Sequence, residues 1–133
     1  MPRYTEAQGV VSDGVTGLAW QQAVPANQCP SDMNGGCSWD EAKAYCTSLV
    51  LGGTGWRLPD LWQLFSILVP NNSNAGVTAE IDPTAFPSTP KDNFWSSTLF
   101  SSSGSPGSID FGYKYSSPFD YGASVPLPVR CVR

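Results

Sequence analysis

The residues of this chain best equipped for chemistry are its four cysteines, Cys29, Cys37, Cys46 and Cys131, while histidine is absent. Without an imidazole the commonest general base at neutral pH and the commonest metal ligand are both missing. A cysteine nucleophile would have no adjacent imidazole to activate it. No C-x-x-C spacing occurs, so a thiolate metal site is not supported either. Disulfide formation is what remains. Four cysteines permit three pairings. Cys29 and Cys37 bracket Gly35-Gly36, which makes a local bridge easy and leaves Cys46 for Cys131. On the loop-entropy model the long bridge contributes about 4–5 kcal/mol and the short one about 2–3 kcal/mol. Such a framework belongs to an oxidising compartment; the alternative is four buried thiols in a cytosolic domain.

The oxygen-bearing residues point to scaffold before catalysis. Ser96-Ser97-Thr98 has nucleophile-like hydroxyls but no base, and reads as a polar strand edge. A glycosidase needs two carboxylates about 5–9 Å apart across a cleft. Asp82, Asp92, Asp110 and Asp120 are available, but nothing in their spacing pairs them. With loop carbonyls the same acids suit calcium, which prefers oxygen ligands. No residue is therefore assigned as catalytic or as a metal ligand. Arg57 reads as an anchor for loop carbonyls or for a carboxylate such as Asp82 or Asp110. The most ligand-like segment holds Tyr113, Lys114, Tyr115, Phe119, Asp120 and Tyr121 among Ser, Gly and Pro. Tyr with Ser and Gly is the composition of adaptable binding loops. The competing reading is that these aromatics cover the sheet or form a subunit interface.

The 133 residues that must position these groups suit one domain, 1–133. Seven basic residues against eleven acidic ones give a net charge of −4, which argues against nucleic acid and against a polyanion-binding stripe. No run of about 18 apolar residues exists, so no span of a membrane is expected. Met1-Pro2-Arg3-Tyr4 carries no apolar signal region. With the cysteine pattern this predicts an extracellular, cell-surface or periplasmic domain cut from a longer exported protein, its native signal peptide absent.

The element pattern is α+β. Val10-Val11 and Leu18–Gln21 read as short strands around an Asp13-Gly14 turn. Residues 23–37 read as a loop. Ser38-Trp39-Asp40-Glu41 is a capping box that opens a helix, with Trp39, Ala42, Cys46 and Leu49 on one face, Tyr45 beside it, and Gly52-Gly53 at its end. Asp60 and Gln63 cap a second helix with Leu61, Leu64, Phe65 and Leu68 buried and Pro70-Asn71-Asn72 as its stop. The stretch 71–93 reads as irregular surface anchored by Ile81 and Phe86. Phe94–Thr98 and Ile109–Tyr113 read as a hairpin around a 101–108 turn, 116–126 as a loop, and Val129–Val132 as the closing strand. Trp20, Trp39, Trp56 and Trp95 are expected in the core, whereas Trp62 falls off the buried stripe.

Several segments, in order, resemble a known family. They are Asp13-Gly14-Val15-Thr16-Gly17-Leu18-Ala19-Trp20-Gln21, Trp39–Cys46, Gly53-Thr54-Gly55-Trp56-Arg57-Leu58-Pro59, Ile81–Pro87, Phe94–Thr98 and Val129–Arg133. This order resembles the Lcl C-terminal-type domain of bacterial surface and secreted proteins, from about residue 10 to the end. The resemblance implies a C-type-lectin-like fold, distantly similar to formylglycine-generating enzymes. It implies two helices flanking a twisted antiparallel sheet, stapled from the first helix to the last strand. It also implies adhesion or ligand binding, sometimes of sulfated glycosaminoglycans, and sometimes trimeric assembly. The negative charge and the Cys29–Cys37 loop depart from that pattern. Neither lectin tripeptide, Glu-Pro-Asn nor Gln-Pro-Asp, occurs, and Asp92-Asn93-Phe94-Trp95 is only loosely similar to the lectin Trp-Asn-Asp strand motif. Asp92 and Asn93 join the aromatic segment as the expected ligand site. The expected function is non-enzymatic binding of a glycan or surface protein. The rivals are an enzyme related to formylglycine-generating proteins and a structural trimerising cap.

Overall fold

Local chemistry sets most of the elements. In the computed structural model residues 2–25, 28–29, 36–73, 76–90, 92–100, 104–110, 119–120 and 122–133 are described, with the backbone alone for 69–73, 76–80, 110 and 119–120. Strands β1 (Tyr4–Ala7) and β2 (Val10–Asp13) pair antiparallel through a Gln8-Gly9 turn, both residues having positive φ. Two consecutive left-handed residues give the turn whose twist matches a hairpin. Strand β3 (Ala19–Gln21) pairs with β2 after a turn in which the Asp13 carboxylate accepts from the Val15 amide and the Thr16 hydroxyl. The sequence led to β2 and β3 but not to β1.

Helix α1 (Trp39–Ser48) starts at Ser38 with both hydrogen bonds of the expected capping box. Ala42 and Cys46 are buried, and Trp39, Tyr45 and Leu49 pack beside them, as the helical spacing requires. Helix α2 (Leu61–Ser66) has the second capping box, Asp60 with Gln63. It is shorter than expected. Leu68, placed by the sequence on its buried stripe, instead opens strand β4 (Leu68–Ser73), which pairs with β5 (Gly76–Ile81). The stretch 71–93 therefore contains regular structure that its Asn and Pro content concealed. A two-stranded ribbon leaves an unpaired edge on each strand, which accommodates the missing N–H of Pro70.

Strands β6 (Asn93–Leu99), β7 (Pro106–Asp110) and β8 (Phe119–Asp120) form an antiparallel sheet in that order. The partner of β6 begins at Pro106, three residues earlier than expected, and the register shifts between Trp95 and Leu99.

The closing segment, residues 127–133, ties these pieces together. Val132 bridges Trp20 of β3 on one side and Arg57 on the other. Ala19 and Arg133 exchange backbone hydrogen bonds, the Gln21 amide donates to the Cys131 carbonyl, and the Trp95 amide donates to the Pro128 carbonyl. Successive residues of an extended segment face opposite ways. Val129 and Cys131 accordingly join one core with Ala42, Cys46, Trp56, Leu58 and Trp95. Val132 joins the other, with Trp20, Leu64, Ile67, Phe86, Phe94 and Ile109. Both expected disulfides are formed. Cys46–Cys131 spans 85 positions with the Cα atoms 5.4 Å apart, and Cys29–Cys37 spans 8 with 5.3 Å. The result is a small α+β domain with two helices, antiparallel sheets and two disulfides.

Candidate functional site

The reactive groups noted in the sequence are largely built into the scaffold. All four cysteines are in disulfides. Ser96 is buried and donates to the Gly107 carbonyl at 2.7 Å, and Thr98 Oγ1 accepts from the Leu61 amide at 3.0 Å. Asp82 Oδ1 accepts from the Thr84 and Ala85 amides, which closes its own turn. Among the described residues no group of three or more His, Cys, Asp or Glu side chains gathers in a way that would hold a metal ion. No described helix is long and apolar enough to cross a membrane.

The expected ligand residues are only partly described. Tyr113, Lys114, Tyr115 and Tyr121 lie outside the described residues. Phe119 and Asp120 form β8, paired with Ser108 and Gly107 of β7. Asn93 sits on the opposite neighbour of β7, in β6, facing Asp110 in the register. One three-stranded sheet therefore carries Asn93 on one outer strand and Phe119 and Asp120 on the other, with β7 between them. Within it the Asn93 side chain is buried and Oδ1 accepts from Ser108 Oγ at 3.2 Å. Asp92 is exposed, and its Oδ1 accepts from the Asn93 amide at 2.7 Å.

Arg57 and Arg130 sit in opposite environments. Arg57 is exposed, and Nη1 donates to Gln63 Oε1 at 2.9 Å; it anchors the α2 cap and not Asp82. Arg130 is the buried one, at 0% exposure. Its Nη2 donates to the Gln22 carbonyl at 3.0 Å and to Thr89 Oγ1 at 3.2 Å. Its Cζ lies 4.7 Å from the Phe86 ring centre and 5.7 Å from that of Phe94. Among the described residues Nε and Nη1 have no hydrogen-bond partner and no carboxylate forms an ion pair with it. Burial disfavours the charged guanidinium and lowers its pKa. The alternation that sends Cys131 toward α1 sends Arg130 the other way, beside Val132. That is the signal by which the sequence could have marked it.

A cleft of about 290 Å³ opens between the N-terminal residues Pro2, Arg3, Tyr4 and Glu6 and the 82–85 turn, where Asp82, Thr84 and Ala85 complete its lining. Arg3 grips Asp13 through two hydrogen bonds, at 2.9 and 2.8 Å, and donates to the Ser66 carbonyl. Burial alone would raise the Asp13 pKa, but the bonds from Arg3, the Val15 amide and Thr16 outweigh it and hold the carboxyl at about 2. Glu6 accepts from Gln22 Nε2. Arg3 and Glu6 thus help hold this edge in place, Asp82 closes its own turn, and among the described residues the buried Tyr4 hydroxyl has no hydrogen-bond partner.

Of the four tryptophans expected in the core, Trp20, Trp56 and Trp95 are buried and Trp39 is half-buried, with Lys43 Nζ 3.6 Å from its ring centre. Trp62 is 80% exposed, as its position off the stripe predicted. Its ring centre lies 6.1 Å from that of Phe65, with the planes at 47°.

A family model described as the Lcl C-terminal domain matches residues 9–133. No curated protein and no solved structure matches the chain. The matched span starts after β1, so Arg3, Tyr4 and Glu6 of the cleft precede it.

Proposed function

The chain belongs to the Lcl C-terminal domain family, and from that premise we propose that it is a non-enzymatic binding or adhesion module of a bacterial surface or secreted protein. The observation that carries this reading is that every cysteine is joined in a disulfide, one of them locking α1 to the closing segment. Disulfides of this kind persist in oxidising surroundings. They also withdraw the thiols that an enzyme related to formylglycine-generating proteins would use. The remaining hydroxyls and carboxylates described above serve caps, turns and sheet contacts, while aromatic surface stands in solvent at Trp62. A rigid scaffold that presents aromatic surface suits recognition of a glycan or a surface protein.

The test uses the oxidised domain on glycan arrays and on arrays of extracellular proteins. Saturable binding to a defined class is expected. Blank arrays of both kinds would sink the reading. A thiol titration of the native protein separates the enzyme alternative: no reactive thiol is expected, and a titratable one would favour the enzyme.

A further inference from the structure

We propose that Trp62, with Phe65 beside it, is a stacking platform for a neutral pyranose ring of a glycan. The inference rests on the binding-module reading and names a ligand class and a place for it.

Leu61 and Leu64 of α2 turn inward and Phe65 packs against the same core, while Trp62, three positions before Phe65, stands on the outer side. Phe65 is half-buried and backs the indole, while Trp62 remains 80% exposed. The backbone beneath the indole is fixed. Asp60 and Gln63 close the capping box, the Leu61 amide donates to Thr98 Oγ1, and Arg57 donates to Gln63 Oε1. A ligand meeting this surface would find the backbone under the ring already held and Phe65 beside it, which limits the ordering cost of binding.

Area decides against a protein partner at this spot. One exposed indole offers on the order of 200 Å², whereas a specific protein interface takes about 800 Å² from each partner. The other large apolar side chains exposed among the described residues are Val15, Val50 and Leu99, which add single side chains and no broad surface. Charge then narrows the ligand. Arg57 and Asp60 flank Gln63 with opposite signs, and the whole chain carries −4. A polyanion would be repelled by that net charge. A neutral pyranose brings an apolar C–H face for the indole and hydroxyls for the polar groups around it.

The experiment is electrophoresis of the oxidised protein through native gels containing a soluble β-glucan, an α-glucan, a mannan or a galactomannan. Retardation of the natural protein by at least one of them is expected. Trp62→Ala should weaken that affinity by about tenfold or more, and Trp62→Phe should keep part of it. The melting temperature of Trp62→Ala checks that the fold survives, and little change is expected for so exposed a side chain. Equal retardation of Trp62→Ala would overturn the proposal while leaving the module reading intact, since sugar would then bind elsewhere. Free migration of the natural protein in every gel would also overturn it, and the arrays described above would decide the module reading separately.

Discussion

Arg130 and Asp13 show two ways in which a buried charge is held. Asp13 has its partners: Arg3, the Val15 amide and Thr16 all donate to it. Its folded pKa of about 2 lies below the ordinary carboxylate value, so its charged form stabilises the fold. That contribution is fully present above the unfolded value near 4 and is lost as the pH falls toward 2; it is on the order of 2 kcal/mol. Denaturant melts between pH 6 and 2 should show Asp13→Asn less stable than the natural protein at pH 6, with the gap closing at pH 2. A gap that does not change with pH would rule out the linkage. Arg130 has two hydrogen bonds and two aromatic rings but no ion pair among the described residues. A charge buried that way costs energy that the packing of its stem offsets. Arg130→Met keeps the stem and removes the charge, and should change stability by no more than about 1 kcal/mol. Arg130→Ala leaves a cavity and should cost about 2–4 kcal/mol in the same denaturant melts. The residue types alone gave Arg57 this anchoring role, because burial depends on which face of the closing segment each side chain takes.

At the level of elements, the helix starts were legible because capping is local chemistry. Ser38 with Glu41 and Asp60 with Gln63 occur in the sequence as they act in the fold. The end of α2 was not legible. Leu68 satisfies a helical stripe as well as a strand, and only its pairing with Ile81 decides between them. Gly36 is another position whose meaning comes from a distant partner. A Cβ placed there would lie 2.6 Å from the Leu127 nitrogen and 2.7 Å from the Pro126 carbonyl carbon, both backbone atoms. Cys37 and Leu127 exchange hydrogen bonds in both directions beside it. Gly36→Ala should therefore push the two segments apart and cost roughly 1–3 kcal/mol. Gly55→Ala is the control: its φ of +92° strains the backbone but no atom lies within 4 Å of the added carbon. Hydrogen exchange at the Cys37 and Leu127 amides should rise in the first variant only, and equal protection in both would refute the steric account.

Across the whole molecule the two disulfides differ in what they close. The 85-position span of Cys46–Cys131 restricts the unfolded chain far more than the 8-position span of Cys29–Cys37. The loop model gives about 4.6 kcal/mol for the first and about 2.5 kcal/mol for the second. Cys46→Ala with Cys131→Ala should accordingly destabilise more than Cys29→Ala with Cys37→Ala, measured by equilibrium denaturation of the two double variants. The reverse order would mean that native packing around the short loop outweighs chain entropy. The sequence by itself determined the pairing of the cysteines, the capped helix starts, the turn at Asp13 and the exposure of Trp62. Each of these depends on residues close together in the chain or on simple counting. Only the tertiary structure decided that β4 and β5 form a ribbon and that β1 adds a strand ahead of β2. It alone placed Arg130 between Phe86 and Phe94 with Arg57 in solvent. The ribbon and β1 follow from strand pairing, and the place of Arg130 from the closing segment, whose alternating side chains enter two cores at once.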